Sequence, residues 1–219
     1  RMWKILSMAL ILFVQVYWAQ ITHKSDVEKE KMWEKVGSQF KKTLFELEGP
    51  LIKIGQLLSI RADLLPGGFI KQLQDLTDQV PPSSWEDIES VLVREWNGPI
   101  DSKLRSIDKQ AIASATIGEV YKGVMNDGHV VAIKVQRPTI RAIIDTDFRS
   151  LSIIFWFVQR FAPIPKGFVD FNLLYQELKT VISRELNFQK EMSTTVQFQR
   201  RFKDLPFIKI PQVHESLCT

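Results

Sequence analysis

The most regular pattern of hydrophobic and polar positions lies in the middle of the chain. Residues 119–125 alternate in character, residues 129–135 are rich in β-branched side chains, and Asn126-Asp127-Gly128 separates the two stretches. Alternation with a period of two is typical of half-buried strands, and an Asp-Gly pair between two such runs is typical of a hairpin turn. The pattern therefore predicts a β-hairpin with Lys134 near the end of its second strand.

Most of the remaining hydrophobic positions have helical spacing. Trp33, Val36 and Phe40 fall on one stripe of residues 23–42, which predicts an amphipathic helix. Capping and helix-breaking residues predict the bounds of five further helices. One helix is expected to begin at Leu51 after Gly49-Pro50, and a second to cover 69–77. A third is expected from a Ser83 or Ser84 cap to about Trp96, a fourth over 139–161, and a fifth from an Asp170 cap to about Phe202. Residues 205–213 predict one more strand.

The first 22 residues form the most apolar stretch, and no residue from Ile5 to Thr22 is charged. This length is at the lower edge of what a membrane helix needs. Trp3, Tyr17 and Trp18 lie toward its ends, as interfacial aromatic residues do. Three interpretations remain open: a helix docked on protein, a helix lying on a membrane surface, and a membrane-spanning helix.

A second apolar stretch, residues 151–162, is hydrophobic on nearly every side. It is too short to span a bilayer. We expect it to be buried between lobes or against the N-terminal helices, with contact to a helix partner or a membrane as the alternative.

The composition is that of a globular protein, with 45% hydrophobic and 25% charged residues in 219. The net charge of +4 is mildly basic, and no nucleic-acid-binding module is recognisable. The only cysteine is Cys218, so no internal disulfide forms, which suits a reducing compartment. Because the chain begins at Arg1 and stops within a pattern, we expect it to be a fragment.

Candidate chemistry centres on the segment before the hairpin. Residues 113–118 are mostly small, so their backbone N–H groups can approach a phosphate closely. An ammonium on the adjacent strand, Lys134, could neutralise phosphate charge. A plain hairpin with Lys134 in solvent explains the same residues. Lys53 and Gln56 share one helix face, with Gly55 allowing a close backbone approach, but they also fit an ordinary amphipathic helix.

Two motifs together resemble a known family. The run Ile-Ala-Ser-Ala-Thr-Ile-Gly-Glu-Val-Tyr, followed by Asp-Gly and Val-Ala-Ile-Lys-Val-Gln-Arg-Pro, is similar to the alanine-rich loop and strands of the UbiB family. Lys53-Ile54-Gly55-Gln56 resembles the Lys-x-Gly-Gln hallmark of the same family. These atypical kinase-like proteins are linked to quinone biosynthesis and lipid homeostasis. The similarity runs from about Lys41 to the last residue.

The resemblance implies an α+β fold: a protein-kinase-like N-lobe, made of a small antiparallel sheet with helices, preceded by a UbiB-type helical extension. The expected organisation is an apolar helix over 1–22, the extension over 23–100, and the N-lobe over 101–219, with the C-lobe missing. In the family, the Lys-x-Gly-Gln helix folds over the nucleotide cleft, which favours ATPase or small-molecule chemistry over protein phosphorylation.

The resemblance also implies a site for ATP or ADP with Mg²⁺, whose metal ligands are expected beyond Thr219. Lys134 would bind the α- and β-phosphates and pair with Glu191. Glu185 would match the first acid of a Glu-x-Asp motif that contacts the Lys53 helix, and Lys53 and Gln56 would reach into the cleft. The implied nucleotide-binding residues are Ala113, Ser114, Ala115, Thr116, Ile117, Gly118, Val120, Ala132 and Lys134.

Three positions depart from the family pattern: Glu119 replaces Gln, Thr116 replaces Ser, and Asn187 replaces the Asp of Glu-x-Asp. Asn187 lacks a full charge, which brings its contact with the Lys53 helix into question. The first hypothesis is an atypical kinase or ATPase that supports ubiquinone, menaquinone or lipid metabolism, with this fragment alone inactive. The alternative is a non-catalytic pseudokinase scaffold at a membrane. A weaker third hypothesis is a membrane-anchored helical protein with an incidental hairpin.

The expected partners are a nucleotide, membrane lipid or quinone precursors, and proteins of quinone biosynthesis. Nucleic acid is not expected as a partner. The expected location is a reducing compartment, on the cytoplasmic or organelle-matrix side of a membrane.

Overall fold

The computed structural model describes residues 1–22, 25–60, 65–76, 80–162 and 170–219. The chain folds into two compact units. The first contains residues 1–81, 114–116 and 139–180, and the second contains residues 82–113, 117–138 and 181–219. The predicted boundaries after residues 22 and 100 stay predictions, and the predicted helix end at Thr77 lies outside the described residues.

The first unit is helical. Its helices are α1 (Met2–Ile21), α2 (Asp26–Leu47), α3 (Pro50–Ser59), α4 (Gly67–Leu73), α6 (Ile140–Phe161) and most of α7 (Phe171–Glu185). Ser25 begins α2 as a capping box with Glu28, and α3 begins at Pro50, one residue before the predicted start at Leu51. The core of this unit includes the fully buried side chains Leu44, Ile52, Ile54 and Leu73.

Helix α1 packs on α2 and α6. Ile5 is fully buried, and the Phe13 ring meets the Phe157 ring edge-on at 4.9 Å between centroids. Arg1 donates two hydrogen bonds of 2.6 Å to the buried carboxylate of Asp147 on α6. Among the described helices, none is long and apolar enough to cross a bilayer.

One face of α1 is covered by none of the described residues. Its exposed hydrophobic side chains recur at helical spacing, so they form one stripe along the helix. We call this the α1 stripe; it consists of Trp3, Leu10, Ile11, Val14, Tyr17, Trp18 and Ile21. The expected burial of residues 151–162 on α6 is met only in part: Phe157 packs on Phe13 of α1, but none of these residues is fully buried and Trp156 is 62% exposed.

The second unit contains a small antiparallel sheet. The sheet has four strands, β1 (Leu104–Ile107), β2 (Ala113–Ser114), β3 (Gly118–Met125) and β4 (Val130–Gln136), with β3 paired to both β1 and β4. The hairpin turn between β3 and β4 contains Gly128 at φ +94°, and a Cβ there would meet nothing within 4 Å. The predicted hairpin is therefore present, whereas β1 was not predicted.

The core of the second unit lies between this sheet and helix α5 (Trp85–Glu95). Ile88, Val91 and Leu92 of α5 pack with Tyr121 of β3 and Val135 of β4. Ser84, one of the two predicted caps, begins α5 by accepting a hydrogen bond from the Asp87 backbone.

Two predictions about the end of the chain are wrong. The single helix expected over 170–202 is divided into α7 and α8 (Phe188–Arg201), with Leu186 and Asn187 between them. Residues 205–213 form a turn at Pro206 and Phe207 and are otherwise irregular, so the predicted strand is absent from this segment. Pro206 and Pro211 lie in this segment, and proline cannot donate a hydrogen bond to a neighbouring strand.

Candidate functional site

An ion pair joins β4 to α8 at the predicted site. The ammonium of Lys134 donates to both carboxylate oxygens of Glu191, at 2.8 and 2.6 Å. The two residues are 57 positions apart in the sequence, and both side chains are about half exposed. The structure thus brings together the lysine and glutamate that the resemblance paired, while their role at a phosphate stays a prediction.

The register of the hairpin places Lys134 on the open face of the sheet. Val120 pairs across the ladder with Lys134, and side chains alternate between the two faces of a strand. Ala132, two residues before Lys134, therefore shares its face and is exposed. The opposite face carries Tyr121 and Val135, which are buried against α5. Val120, Ala132 and Lys134 consequently form one accessible surface.

The break before α8 positions Glu191. The Asn187 side chain accepts a hydrogen bond of 2.8 Å from the Lys190 backbone, so Asn187 is the N-cap of α8. The Gln136 amide on β4 donates to the Leu186 carbonyl at 2.5 Å. The strand that carries Lys134 therefore holds the start of the helix that carries Glu191.

The loop of small residues before β3 has an exposed half and a buried half. Ala113 and Ala115 are exposed and Ser114 is partly exposed, whereas Thr116, Ile117 and Gly118 are buried. The Arg137 backbone N–H donates to the Ile117 carbonyl at 2.9 Å, which ties the buried half to the end of β4. A Cβ at Gly118 would lie only 3.0 Å from the Val135 carbonyl oxygen, so a glycine is needed for this close approach.

A second polar cluster, which sequence reasoning missed, surrounds Glu119. Its carboxylate is fully buried and accepts hydrogen bonds from the Ser83 backbone at 2.8 Å, the Ser83 hydroxyl at 2.6 Å and the Tyr121 hydroxyl at 2.6 Å. The Arg137 guanidinium lies 3.5 Å away. A signal was present in the sequence, since a period of two places Glu119 on the same face of β3 as Tyr121.

Burial raises the pKa of the Glu119 carboxyl, but the hydrogen bonds from Ser83 and Tyr121 and the charge of Arg137 outweigh burial. The pKa of Glu119 therefore lies below its usual value of 4.5, and the group is ionised at neutral pH. Burial and the neighbouring carboxylate together raise the pKa of the Tyr121 hydroxyl, which stays protonated and donates a hydrogen bond to Glu119.

The Lys-x-Gly-Gln segment lies on α3 in the first unit. Lys53 is partly buried, and the Gln56 amide donates to the Leu76 carbonyl at 3.0 Å. A Cβ at Gly55 would overlap the side chains of Leu44 and Leu76. The glycine thus makes room for side chains, so the prediction of a close backbone approach at Gly55 is wrong.

Glu185 is the last residue of α7 and is exposed. Its predicted contact with the Lys53 helix stays a prediction. In the part of the chain that the structure describes, no group of three or more His, Cys, Asp or Glu side chains is arranged to hold a metal ion.

Comparison with known proteins gives the family. The model of the ABC1 atypical kinase-like domain matches residues 75–219, about two thirds of the chain. The chain belongs to the ABC1 atypical kinase-like family. The resemblance to UbiB proteins and the α+β kinase-like fold are thereby confirmed.

Several ABC1 relatives cover most of the chain. "Activity of bc1 complex kinase 8, chloroplastic" of Arabidopsis thaliana is 32% identical over 88% of this chain and 25% of its own length. A probable protein kinase UbiB of Aeromonas salmonicida is 31% identical over 80% of this chain and 32% of its own length. The chain thus spans about a quarter to a third of the length of these curated ABC1 relatives.

A solved structure has a similar fold. A protein of Mycobacterium tuberculosis, determined in complex with erythromycin, superposes with a TM-score of 0.52 at 25% sequence identity. The match covers 87% of this chain and 48% of that one.

Proposed function

We propose that this chain is the nucleotide-holding part of an atypical kinase or ATPase that binds ATP or ADP with Mg²⁺. The observation that carries the proposal is the Lys134–Glu191 ion pair on the open face of a small sheet, whose strand β3 directly follows the loop of small residues in the sequence. In kinase-like proteins such a pair holds the lysine over the nucleotide phosphates.

The residues present fit a nucleotide. An ammonium has three donors, and Glu191 takes two from Lys134, so one remains for a phosphate oxygen. The side chain of Lys134 is 45% exposed, which gives a ligand access to it. Val120 and Ala132 present small apolar side chains on the same face, where the flat surface of a base can lie.

The loop would lie next to the phosphates. Ala113, Ser114 and Ala115 are accessible and have small side chains, so the backbone there can approach an anion closely. Thr116, Ile117 and Gly118 are buried and would support the accessible half. In the whole protein, Lys53 and Gln56 would reach toward the nucleotide, and Glu185 would contact the helix that carries them.

The bound nucleotide with Mg²⁺ supplies the transferable phosphoryl group. This chain would hold the phosphates, and the metal ligands are expected outside its 219 residues. The whole protein would support quinone biosynthesis or lipid homeostasis in a reducing compartment at a membrane, with quinone precursors, lipids or proteins of that pathway as partners. The chloroplast location in the names of several relatives favours an organelle for those proteins.

The test compares two lysine variants of the full-length protein. With ATP and Mg²⁺ present, Lys134→Ala is expected to abolish the nucleotide-dependent rise in melting temperature, because the phosphates lose their cation. Lys103→Ala removes an exposed lysine of the same unit and is expected to keep the full rise. An unchanged rise in the Lys134→Ala variant would refute the proposed role.

A second candidate function is a non-catalytic scaffold bound to a membrane. The α1 stripe supports its membrane-bound part, because a row of exposed hydrophobic side chains with tryptophans toward both ends matches the interfacial zone of a bilayer. ATP turnover separates the two functions. An enzyme hydrolyses ATP faster than its Lys134→Ala variant, whereas a scaffold shows the same background rate in both.

A further inference from the structure

Phe188, the first residue of α8, touches two separate parts of the candidate site. The Lys134 ammonium lies 4.6 Å from the centroid of its ring. At the end of the small-residue loop, a Cβ added to Gly118 would lie only 3.1 Å from the ring carbon Cζ. One aromatic side chain therefore contacts both the loop and the lysine that are proposed to hold the phosphates.

The start of α8 fixes the position of this ring. Asn187 caps the helix on one side of Phe188, and the Leu186 carbonyl is held by Gln136 of β4. Phe188 is partly buried although its neighbours Asn187 and Gln189 are exposed. The ring contacts Gly118 and Lys134 rather than joining the buried cluster around Tyr121.

The geometry also links Phe188 to the ion pair. Phe188 and Glu191 are three residues apart on α8, so they share one face of the helix. The Lys134 ammonium is thus bounded by the Glu191 carboxylate and by the Phe188 ring. The electron-rich face of an aromatic ring attracts a cation, and removing one of two such neighbours leaves the other to hold the lysine alone.

We propose that Phe188 is a positioning residue for nucleotide binding, which sets the place of the Lys134 ammonium relative to the loop at Gly118. This inference rests on the proposed nucleotide-binding function. Helix α8 would then contribute Phe188 to the site in addition to Glu191. The Phe188 ring contacts both the Lys134 ammonium and Gly118, at the end of the loop that would cover the phosphates.

The test measures how fast an amine-reactive anhydride labels Lys134 in the full-length protein, with exposed Lys103 as the internal reference. Phe188→Leu keeps an apolar side chain but removes the ring, so we expect labelling of Lys134 relative to Lys103 to rise about threefold. Phe188→Tyr keeps the ring and is expected to match the parent protein. If Phe188→Leu does not fold, Phe188→Met takes its place.

Adding ATP and Mg²⁺ separates this proposal from the proposed function. Nucleotide is expected to protect Lys134 in the parent protein, and Phe188→Leu is expected to need about threefold more ATP for half protection. If the parent is protected and Phe188→Leu is labelled and protected like the parent, the positioning role is overturned and the function stands.

Two further outcomes are equally clear. If ATP does not protect Lys134 in the parent, the proposed nucleotide function fails, and the labelling rates without nucleotide still show whether the ring holds the lysine. If Phe188→Tyr is labelled as fast as Phe188→Leu, the positioning role is overturned, because the ring alone is then insufficient.

Discussion

At the scale of single residues, Glu119 has the most unusual environment in the second unit. A carboxylate without exposure to water is costly unless its oxygens receive hydrogen bonds. Ser83 supplies two of these and Tyr121 a third, while Arg137 adds a positive charge nearby. Because Ser83 immediately precedes the α5 cap, the cluster joins the segment before α5 to the strand that follows the small-residue loop.

The lowered pKa of Glu119 gives a prediction about acid stability. A carboxyl with a folded pKa below its unfolded value stabilises the protein above the unfolded value of 4.5, and this stability is lost as the pH falls through the folded pKa. We expect Glu119→Gln to be about 1 kcal/mol less stable than the parent at neutral pH, since hydrogen bonds to a charged group are the stronger ones.

Urea unfolding of both proteins at neutral and at acid pH measures the difference. The parent should lose more of its free energy of unfolding on acidification than Glu119→Gln does, so the two curves should converge. Equal losses in the two proteins would show that the pKa of Glu119 is the same in the folded and unfolded states, which would contradict the lowered pKa. Ser83→Ala is the matched variant: it removes the hydroxyl that donates a hydrogen bond to Glu119 but leaves the titrating Glu119 carboxyl in place.

The departure of Glu119 from the family pattern has a structural explanation at this scale. The residue lies in a buried hydrogen-bonded cluster, where glutamine could also accept hydrogen bonds through its side-chain carbonyl. The substitution therefore gives little support to a loss of catalysis. The hypothesis of a pseudokinase depends instead on whether the full-length protein turns over ATP faster than its Lys134→Ala variant.

At the scale of elements, the junction between α7 and α8 decides where Glu191 lies. Asn187 begins α8 through a side-chain oxygen, a role in which asparagine and aspartate are about equally good. The replacement of the family's Asp by Asn187 is therefore conservative for the cap. The lost charge matters only for a contact beyond the cap.

Substitution of Asn187 tests this interpretation. Asn187→Ala should lower the free energy of unfolding by about 1 kcal/mol, because the Lys190 N–H loses its acceptor. Asn187→Asp should retain the parent stability or exceed it slightly, since a negative charge at a helix N-terminus is favourable. Equal destabilisation by both variants in urea unfolding would contradict the cap.

The elements that the sequence predicts are those with strong local signals. The hairpin follows from β-rich runs around an Asp-Gly turn, and α2 follows from the stripe of Trp33, Val36 and Phe40. The break before α8 has no proline or glycine to mark it. Its local signal is Asn187, a favoured N-cap residue, whereas the bond that holds the Leu186 carbonyl comes from Gln136, 50 residues away, which local patterns could not reveal. Strand β1 is too short, at four residues, to show a period.

The residues of the candidate site also differ in whether the sequence could predict them. The Lys134–Glu191 pair was predicted only through the family resemblance, because every long helix offers several glutamates. The Glu119 cluster and the contacts of Phe188 arise from packing between segments distant in sequence. The alternating pattern of β3 could have indicated that Glu119 is buried and needs hydrogen-bond partners. It could not have identified Ser83 as one of those partners.

At the scale of the whole molecule, the α1 stripe is a hydrophobic surface that none of the described residues covers. Trp3 is 81% exposed and Trp18 is 64% exposed, on a helix whose opposite side is anchored through Ile5 and Phe13. A membrane-bound scaffold or enzyme would bury this face in lipid. A helix docked only on protein would need a covering partner instead.

Flotation with anionic lipid vesicles tests the membrane interpretation. The parent protein is expected to float with the vesicles, and Trp3→Ser/Trp18→Ser is expected to bind at least about tenfold more weakly, because two large apolar side chains no longer enter the lipid. Val27→Ser/Ile60→Ser, which alters two exposed hydrophobic residues outside the stripe, serves as the control and should bind like the parent. A parent protein that stays in the soluble fraction would exclude this role for α1.

The open turn between β3 and β4 is a suitable place to attach a fluorophore that reports movements of the hairpin. Nothing crowds the backbone at Gly128, and Asn126 is exposed beside it. The sole native thiol is Cys218, so replacing it by serine and placing a cysteine at position 126 leaves a single attachment point for a fluorophore. A dye at position 126 would report movements of β4, the strand that carries Lys134, without modifying Lys134 itself.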